Sequence, residues 1–501
     1  MFTAPLDTLL TFSVLTPLIY LIGVKAGLRK LVDCWATLGF AFSFYLLYLM
    51  HESVREKKVL VITVANGLLP ASSVFEIDAL GFFMATLFVF IGLLTSFYSM
   101  RYMERDTRLA EYYVLLMLMV AGMVGVVFAG DLLTLFIFWE TMCISSYVLV
   151  AFRKDRWEPV EAGLKYLIMS ASGSVIVLFA MSLLYGIAGS LNFAYLRLAI
   201  TRPPMNAWTV MAMALMVIGF GIKAAIAPLH TWLPDAHPAA PSSISAMLSG
   251  VVIKAGAYAL MRSLLLFFAP ELFNWQIVLA IIAVLTMTVG NLMALPQTDL
   301  KRLLAFSSIA QMGYIIFGVS LATSSGLTGG LFHIMNHSII KSLLFLCSGA
   351  FLYAVESRDL NQLAGIGKKM KITGAMFTVG CLSIAGIPPL NGFQSELMVL
   401  LAGIGVGHQG AIWYFLSGLM LLNLLFSVAY YLRLIQTVMI REPTERSLKA
   451  KEAPMAMLLP MMLLTALCVV AGVYPDPFIS FSSNAAKAVL DIGQYVNAIV
   501  K

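Results

Sequence analysis

Charged residues are scarce in this chain. Only 11% of its 501 residues are Asp, Glu, Lys or Arg, whereas 60% are hydrophobic and the mean hydropathy is +0.92. A soluble domain is about a quarter charged. Long polar stretches are also few, the longest lying near 51 to 60, 101 to 112 and 441 to 452. These shortages exclude a water-soluble fold, because no such fold could bury so much apolar surface.

Other absences narrow the class further. The sequence has no CxxC pair, and its five scattered cysteines indicate neither a disulfide framework nor a metal site; they are Cys34, Cys143, Cys347, Cys381 and Cys468. No Gly-rich nucleotide loop, low-complexity linker or soluble domain interrupts the apolar runs. Alternation of apolar and polar residues with period 2 is absent, which excludes a membrane β-barrel. A bundle of membrane-spanning helices remains.

Apolar runs of spanning length recur along the whole chain. A helix needs about 20 residues to cross about 30 Å of hydrocarbon. The run near 7 to 24 lacks a basic leader and a cleavage site of small residues, so it is predicted to be a retained span and not a signal peptide. Fourteen spans are predicted, starting near 7, 33, 77, 112, 131, 160, 207, 241, 275, 303, 327, 372, 411 and 455. The sequence therefore predicts an all-α polytopic membrane protein.

The net charge of +7 comes from Lys and Arg in the predicted loops, which is typical of loops that face the cytoplasm and calls for no nucleic acid. If the N-terminus lies outside, most of these cations fall on inner loops, at Lys25, Arg29, Lys30, Arg153, Lys154, Arg156, Lys301, Arg302, Lys368, Lys369, Lys371, Arg441, Arg446, Lys449 and Lys451. The outer loops then hold chiefly Arg55, Lys57, Lys58, Arg197 and Arg202. This bias predicts that both termini lie outside.

Two predicted spans are interrupted by proline. The seventh runs from about 207 into a segment containing Pro228, Pro234, Pro238 and Pro241, and the twelfth meets Gly386-Ile387-Pro388-Pro389 before it resumes. In a membrane such breaks persist only where protein or a polar cavity satisfies the freed carbonyls. Paired broken helices indicate a transporter built from inverted repeats with its ion site at the breaks. Simple proline kinks are the alternative.

Ionisable side chains lie deep inside several spans. A charge at the centre of a bilayer costs at least about 2.5 kcal/mol, so each one needs a partner, water or a function. Glu140 lies about ten residues into the fifth span, Lys223 and Lys254 lie in the middle of theirs, and Glu396 follows the second break. These four residues are candidate proton carriers, and static ion pairs are the alternative interpretation.

The eleventh span carries a stripe of three titratable residues. His333, His337 and Lys341 are spaced four residues apart, so they share one helical face over about 12 Å. Histidine titrates near neutral pH. A file of Glu, Lys and His across the membrane is a plausible proton wire, with water filling the gaps.

Two weaker groups serve as secondary candidates. Lys165 follows Glu161 by four residues on one face, which suits either an interfacial ion pair or a role in transport. His230, Asp235 and His237 lie on a proline-rich segment without the HExxH spacing of a zinc enzyme, so hydrogen bonds that anchor the loop are favoured over a metal site.

These residues resemble the antiporter-like subunits shared by respiratory complex I, Mrp cation/proton antiporters and energy-converting membrane-bound hydrogenases such as formate hydrogenlyase. The resemblance covers roughly 75 to 435 and rests on four motifs. These are Lys223 followed by Pro228-Leu-His-Thr-Trp-Leu-Pro-Asp-Ala-His237-Pro, Ala240-Pro-Ser-Ser-Ile-Ser-Ala-Met-Leu-Ser-Gly-Val-Val-Ile-Lys254, Asp299-Leu-Lys-Arg-Leu-Leu-Ala-Phe-Ser-Ser-Ile-Ala-Gln-Met-Gly-Tyr314, and His333-Ile-Met-Asn-His337-Ser-Ile-Ile-Lys341.

The resemblance implies about fourteen transmembrane helices with two inverted five-helix repeats. In this sequence the regions would be an N-terminal group of three helices at 1–111, a first half-channel at 112–268, a second half-channel at 275–436, and a C-terminal helix and tail at 437–501. Glu140 and Lys223 would be the interacting acid and base of the first half-channel, and Lys254 the connector. His333, His337 and Lys341 would lead on to Glu396.

The expected function is proton translocation by one subunit of a redox-driven complex. This chain would bind no cofactor, while partner subunits would carry iron–sulfur clusters and NiFe or quinone sites. Expected partners are further antiporter-like or channel-connecting membrane subunits, peripheral redox subunits and lipid, in the cytoplasmic membrane of a prokaryote. A subunit of an Mrp-type Na⁺/H⁺ antiporter and an inactive scaffold are the alternatives.

The sequence also departs from the family pattern. Gln311 stands where many relatives have His, so no relay proton is placed there, and Glu396 stands where several branches have Lys. The segment Pro388-Pro-Leu-Asn-Gly-Phe-Gln-Ser-Glu396 looks most like subunits of formate hydrogenlyase and other energy-converting hydrogenases. Because the sequence ends soon after its fourteenth predicted span, the long lateral helix of the largest complex I subunit is not expected here.

Overall fold

The computed structural model describes residues 3–26, 28, 30–57, 59–63, 74–202 and 206–500. Helices dominate, because a helix satisfies nearly all its backbone groups internally and so can cross hydrocarbon. The N-terminal region comprises α1 (Ala4–Lys25), α2 (Leu31–Lys57), an antiparallel hairpin of β1 (Val59–Thr63) and β2 (Val74–Asp78), and α3 (Ala79–Tyr102). Asp78 caps α3 by accepting a hydrogen bond from the Gly81 amide.

The next helices form two groups that each contain five spans. The first group comprises α4 (Leu109–Phe128), α5 (Leu132–Val150), α6 (Trp157–Ala188), α7 (Phe193–Ile200), α8 (Ala207–Lys223), α9 (Leu233–Ala239), α10 (Ser242–Met247), a π-helical turn (Leu248–Val252) and α11 (Ile253–Leu266). The second comprises α12 (Pro270–Phe273), α13 (Gln276–Ala294), α14 (Leu300–Ser320), α15 (Ser324–Val355), a 3₁₀ turn (Ile366–Lys368), α16 (Lys371–Ile384), α17 (Asn391–Gly405), a 3₁₀ turn (Gly407–Gln409), α18 (Ala411–Ile435) and a π-helical turn (Gln436–Ile440).

The C-terminal region comprises α19 (Glu445–Leu448), α20 (Met455–Val473), α21 (Asp476–Leu490) and α22 (Ile492–Ile499). Among the described residues, twelve helices are long and apolar enough to cross a membrane. The two shorter apolar helices are Ala207–Lys223 and Lys371–Ile384, which are the first halves of the two predicted broken spans. The predicted all-α polytopic fold with about fourteen spans is confirmed.

Both breaks lie where they were predicted, and protein groups satisfy their backbone. At the first break, Trp232 Nε1 donates to the Ile222 carbonyl at 2.8 Å, and the Ala227 amide donates to Thr286 Oγ1 at 3.0 Å. At the second break, Asn336 Nδ2 donates to the carbonyl of Asn391 at 2.9 Å. The chain therefore stops being helical in mid-bundle without leaving these groups exposed to lipid.

The order of spans fits two repeats of opposite orientation. In each group the fourth span is the broken one, and each group has an odd number of spans. Since successive spans cross in opposite directions, the second group starts from the opposite side to the first. The limits 112–268 and 275–436 stay a prediction.

The hairpin was not predicted, because β1 reads Val-Leu-Val-Ile-Thr, a continuous apolar run without alternation. It lies at the same end of the bundle as the turn at 129–131, where Phe75 pairs with Ala129, and α22 packs against β1 and α7 there. We call this end the terminal face. The opposite end carries the loops at 151–156, 295–299 and 441–444, and we call it the basic face.

Candidate functional site

Lys223 is the last residue of α8 and lies at the first break, where its side chain is 2% exposed. Its Nζ donates to Tyr166 OH at 2.6 Å and to Ser146 Oγ at 3.2 Å. The Tyr166 ring stacks on Trp232 with 4.0 Å between centroids and 4° between planes. Helices α5, α6 and α8 thus hold the ammonium group between two hydroxyls, and each hydroxyl can both accept and donate a hydrogen bond.

Glu140 lies on α5, half-buried, three residues before Cys143. Its Oε1 is buried, and it has no hydrogen-bond partner among the described residues. Lys223 and Glu140 both act electrostatically on Cys143. Within the described chain, however, no ion pair closer than 4.0 Å joins Glu140 to Lys223. The direct acid–base contact expected from the resemblance is not formed in this structure.

Lys254 is completely buried near the centre of the bundle. A π-helical turn precedes it, and its Nζ donates to the Ser249 carbonyl in that turn. Single π-turns free carbonyls inside a helix and are frequent at functional sites. Ser249 Oγ in turn lies 2.7 Å from Ser308 Oγ on α14. Lys254 is therefore linked to the second group of helices.

Lys341 is the corresponding buried lysine of the second group. Its Nζ donates to Ser307 Oγ at 2.7 Å, Tyr431 OH at 3.0 Å and the Leu304 carbonyl at 3.0 Å. Ser308 Oγ donates to the same Leu304 carbonyl at 2.8 Å. Lys254 and Lys341 are thus connected through Ser249, Ser308 and the Leu304 carbonyl, with the step from the Ser249 carbonyl to its hydroxyl made within that residue.

The predicted stripe on α15 ends in a hydrogen-bonded connection to Glu396. His333 Nε2 lies 2.6 Å from Gln311 Oε1, and Gln311 Nε2 donates to Glu396 Oε1 at 3.3 Å. Since the amide oxygen only accepts, His333 donates from Nε2, and its Nδ1 lies 3.0 Å from Ser395 Oγ. His337 lies one turn away, 6.1 Å between ring centroids. The structure thus brings His333 and Glu396 together through Gln311, for which no role was predicted.

Gly386 allows the second break to approach Glu396 closely. Its φ is +69°, and a Cβ atom built there would collide with Glu396 Oε2. Any other residue would be strained in its backbone and would displace the carboxyl group. The break therefore shapes the pocket of the buried acid.

A family model described as "NADH:quinone oxidoreductase/Mrp antiporter, TM" matches residues 129–422, more than half of the chain. A second, described as "NADH-Ubiquinone oxidoreductase (complex I), chain 5 N-terminus", matches 64–113. The chain belongs to the NADH:quinone oxidoreductase/Mrp antiporter family.

Relatives within this family come from several kinds of complex. F(420)H(2) dehydrogenase subunit N of Methanosarcina mazei is 30% identical over 84% of this chain and 86% of that protein. A Na(+)/H(+) antiporter subunit of Alkalihalophilus pseudofirmus is 28% identical over 95% of this chain and 94% of that protein. A chain of the membrane-bound sulfane sulfur reductase, an archaeal respiratory membrane complex, superimposes with a TM-score of 0.90 at 29% identity, covering 99% of both chains.

Lys165 and Asp235, two of the secondary candidates, belong to an exposed ion-pair network at the basic face. Lys165 Nζ lies 2.9 Å from Glu161 Oε1 and 3.2 Å from Asp235 Oδ2, while Arg302 Nη2 lies 3.2 Å from Asp235 Oδ1. Exposed pairs contribute little free energy. Lys165 and Asp235 are thus joined to each other and not to the buried lysines. No group of three metal-ligating side chains occurs in the part of the chain that the structure describes.

The two histidines of the proline-rich segment differ in burial. His230 is half-buried, whereas His237 is completely buried and stacks on Phe345 with 4.5 Å between centroids. Neither His237 ring nitrogen has a partner among the described residues. The hydrogen bonds expected to anchor the loop are therefore not made by this imidazole.

Some site residues could not be recognised from the sequence. Tyr166, Ser146, Tyr431 and Ser307 gave no signal, because neutral hydroxyls are common in apolar helices. Lys301 was assigned to an inner loop, and this was wrong: it is the second residue of α14, is 1% exposed and donates to the Ala240 carbonyl at 2.6 Å. A cap residue, Asp299, directly precedes α14 and would have indicated the helix start.

Proposed function

We propose that this protein translocates protons across the membrane as an antiporter-like subunit of a redox-driven complex. The observation that carries the proposal is the file of buried titratable groups along the middle of the bundle. Its members are Lys223, Lys254, Lys341, His337, His333 and Glu396. Burying that many ionisable groups costs free energy, and none of these six residues forms an ion pair within the described chain. A purely structural role therefore does not account for them.

The first half of the file has the features of a two-position switch. Lys223 contacts Tyr166 and Ser146, while Glu140 lies nearby with a buried oxygen that has no partner among the described residues. Movement of Lys223 toward Glu140 would exchange neutral partners for a charged one. Because an opposite charge favours the protonated amine, this exchange would load a proton, and the reverse would release it.

The second half of the file links Lys341 to Glu396. His337 lies between Lys341 and His333 on α15, and Gln311 bridges His333 to Glu396. An amide does not carry a proton between two bonded groups, so Gln311 would position His333 and Glu396 and not relay. Transfer to Glu396 would run past the amide, by movement of the acid or through water.

Other membrane subunits are expected to cover the α5 side of the protein. Ile137, Ile144 and Val148 are 54%, 48% and 40% exposed and flank the half-buried Glu140 on one face. A carboxylate facing lipid would cost at least about 2.5 kcal/mol. We therefore infer that a further antiporter-like or channel-connecting subunit packs there. Iron–sulfur clusters and NiFe or quinone sites would lie in peripheral redox subunits.

Cation/proton antiport is the second candidate function. It is favoured by the similarity to the Na(+)/H(+) antiporter subunit of Alkalihalophilus pseudofirmus over 95% of this chain. In that case the complex would contain no electron-transfer subunit, and Na⁺ would move against H⁺. We place either complex in the cytoplasmic membrane of a prokaryote with the terminal face outside, since the opposite face collects the loop cations.

The test begins with the native complex purified in mild detergent and identified by mass spectrometry. Subunits with iron–sulfur clusters together with hydrogenase-like or quinone-site subunits support redox-driven translocation. Small membrane subunits alone support the antiporter. Reconstituted vesicles then report proton uptake on addition of the electron donor or of Na⁺. Electron transfer without proton movement in sealed, coupled vesicles would contradict translocation.

A further inference from the structure

A second polar stripe runs along α11. Lys254, Tyr258 and Arg262 are four residues apart, so they share one side of the helix over about 12 Å, and all three are buried. Lys254 lies near the middle of the span Ser242–Leu266, whereas Arg262 lies one turn before its end at the terminal face. The stripe therefore leads from a lysine of the candidate site toward the terminal face.

A cluster of buried polar side chains lies at the terminal-face end of this stripe. Arg262 Nη1 donates to Asp78 Oδ2 at 2.6 Å, and the Arg262 guanidinium lies 4.8 Å from the centre of the Tyr495 ring. Glu76 on β2 is completely buried; its Oε1 accepts from Asn192 Nδ2 at 3.0 Å, and its Oε2 accepts from Tyr495 OH. The hairpin, α7, α11 and the last helix α22 thus meet at one acid.

One edge of the Arg262 guanidinium has no partner. Its Nε and Nη2 are buried and make no hydrogen bond within the described chain. These two donors form the edge that binds a carboxylate in a bidentate manner, and a buried donor left unpaired costs about 1–3 kcal/mol. Glu76 lies within electrostatic range of Arg262. Tyr495 is the hydrogen-bond partner of the Glu76 carboxyl group in this structure, and the free edge of Arg262 is a nearby positive charge that carries no partner within the described chain.

Solvent approaches this cluster. A cavity of about 470 Å³ opens at the terminal face between α2, α3 and the C-terminal helices. Ala79 and Gln494 line it, and they are the chain neighbours of Asp78 and Tyr495. Tyr495, which donates a hydrogen bond to Glu76, is therefore one chain position away from the lining of this cavity.

Glu76 also titrates in the range that proton transfer needs. Burial raises its pKa to about 7, while hydrogen bonds from Tyr495 and Asn192 and the charge of Arg262 oppose the rise. The charged and titratable groups that face Glu76 are Tyr495 on α22, Arg262 and Tyr258 on α11, Asp78 before α3 and Asp131 before α5.

We propose that Glu76 is a proton-binding site at the terminal face, where a proton that leaves Lys254 along the α11 stripe is held before it passes to solvent. The inference rests on the proposed function and adds a terminal-face exit for the first group of helices. It is carried by the stripe, by the unpaired edge of Arg262 and by the adjacent cavity.

The steps balance without a further reactant. A proton arriving at the Glu76 carboxylate forms an O–H bond and gives a neutral carboxylic acid. Release breaks that bond and passes the proton to solvent in the cavity. Arg262 does not carry the proton, because a guanidinium stays protonated in proteins. Its free edge instead stabilises the carboxylate that release leaves behind.

Infrared spectroscopy of the intact purified complex tests proton binding directly. The carbonyl band of a protonated carboxyl group should appear as the pH is lowered through about 7, and Glu76→Gln should lack it. Glu271→Gln is the matched control, since Glu271 is an exposed acid at the same face. An unchanged band with an unchanged midpoint in Glu76→Gln would refute the site.

Tyr495→Phe provides a test that keeps the acid. It removes the hydroxyl that donates to Glu76, so the carboxylate loses a stabilising hydrogen bond and the midpoint of the band should move to higher pH. A midpoint identical to wild type would contradict the assignment of the band to Glu76, including the case in which Glu76→Gln fails to assemble.

Transport by the reconstituted complex tests the role in release. With the pH at the basic face held constant, proton delivery by wild type should depend on terminal-face pH around neutrality, and Glu76→Gln should lose this dependence. A variant profile identical to wild type would refute the release role even if the infrared band is lost. If wild-type complex moves no protons at all, the proposed function and the release role fail together, while the infrared titration still establishes the proton-binding site.

Discussion

At the scale of single residues, the Lys223 ammonium group donates hydrogen bonds to two hydroxyls. Glu140, its expected acidic partner, forms no ion pair with it in the described chain. Tyr166 and Ser146 can bind either an ammonium or a neutral amine, whereas Glu140 would favour the charged form alone. The separation of Lys223 from Glu140 in this structure is therefore one position of the proposed switch.

Lys223→Ala and Glu140→Gln should each abolish coupled ion transport while the complex still assembles. The reason is that each variant leaves one position of the switch without its partner. We expect a loss of about a hundredfold or more, in line with removal of a proton-transfer group. Proton uptake in sealed vesicles measures it, with Lys154→Ala, an exposed loop lysine, as control. Normal uptake in either variant would refute the switch.

Lys341→Ala should impair transport more than Lys165→Ala does. Lys341 is buried and joins Ser307, Tyr431 and the Leu304 carbonyl, whereas Lys165 is half exposed in a surface ion-pair network. The same vesicle assay compares the two at equal amounts of assembled complex. A larger defect in Lys165→Ala would show that the basic-face network belongs to the pathway.

The ionisable residues of the site could be read from the sequence for a physical reason. A charge in an apolar run is costly and therefore stands out, as Lys254 and Glu396 do. A tyrosine or serine in a helix costs little, so Tyr431 and Ser146 could not be recognised. Only the folded chain shows which hydroxyl faces which lysine.

At the scale of elements, the broken spans were predictable because proline removes a helical donor. The side chains that donate hydrogen bonds to the freed carbonyls could not be predicted. Trp232 lies later in the chain than Ile222, whose carbonyl it binds, and Asn336 lies on a different helix from the break. The hairpin could not be predicted because its short strand β1 is a continuous apolar run and does not alternate between apolar and polar residues.

The second break gives a prediction about Gly386. Gly386→Ala forces a Cβ into the left-handed region and against Glu396 Oε2, at a backbone cost of about 1–2 kcal/mol. We expect a lower midpoint of thermal unfolding in detergent and reduced transport. Gly418→Ala is the matched control, because nothing lies within 4 Å of a Cβ at that helical position. Equal stability of both variants would contradict the close packing of the break.

The cluster that joins the hairpin to α22 predicts a pH-dependent stability. The pKa of Glu76 is about 7 in the folded protein, above its ordinary value of 4.5. The folded state therefore binds the proton more tightly than the unfolded state, and stability falls as the pH rises from about 4.5 to about 7. The difference corresponds to on the order of 3 kcal/mol.

Glu76→Gln should remove that dependence, since its side chain resembles the protonated acid. The variant should be more stable than wild type at pH 8 and close to it at pH 4, measured as thermal unfolding of the purified complex. Glu271→Gln should follow wild type at both pH values. A parallel pH dependence in Glu76→Gln and wild type would assign the effect to other groups.

At the scale of the whole molecule, the two faces differ in what they carry. Most of the described loop cations lie at the basic face, except Lys301, whose side chain is buried, while the hairpin and α22 lie at the terminal face. Of the fifteen cations assigned to inner loops, Arg29 lies outside the described residues and thirteen of the other fourteen are unaffected by the correction of Lys301, so the charge bias persists.

This bias predicts the orientation of the molecule in the membrane, and labelling can test the prediction. Gln409 lies exposed at the terminal face, and Lys369 lies exposed at the basic face. Cysteines placed there, with Cys34 replaced because it is the exposed native thiol among the described residues, report which side each occupies. A membrane-impermeant maleimide added to intact cells should label Gln409→Cys at once and Lys369→Cys only after permeabilisation. Positive charge resists translocation to the outside, so the reverse pattern would require another force to have oriented the chain and would turn the proposed proton exit at Glu76 into an entrance.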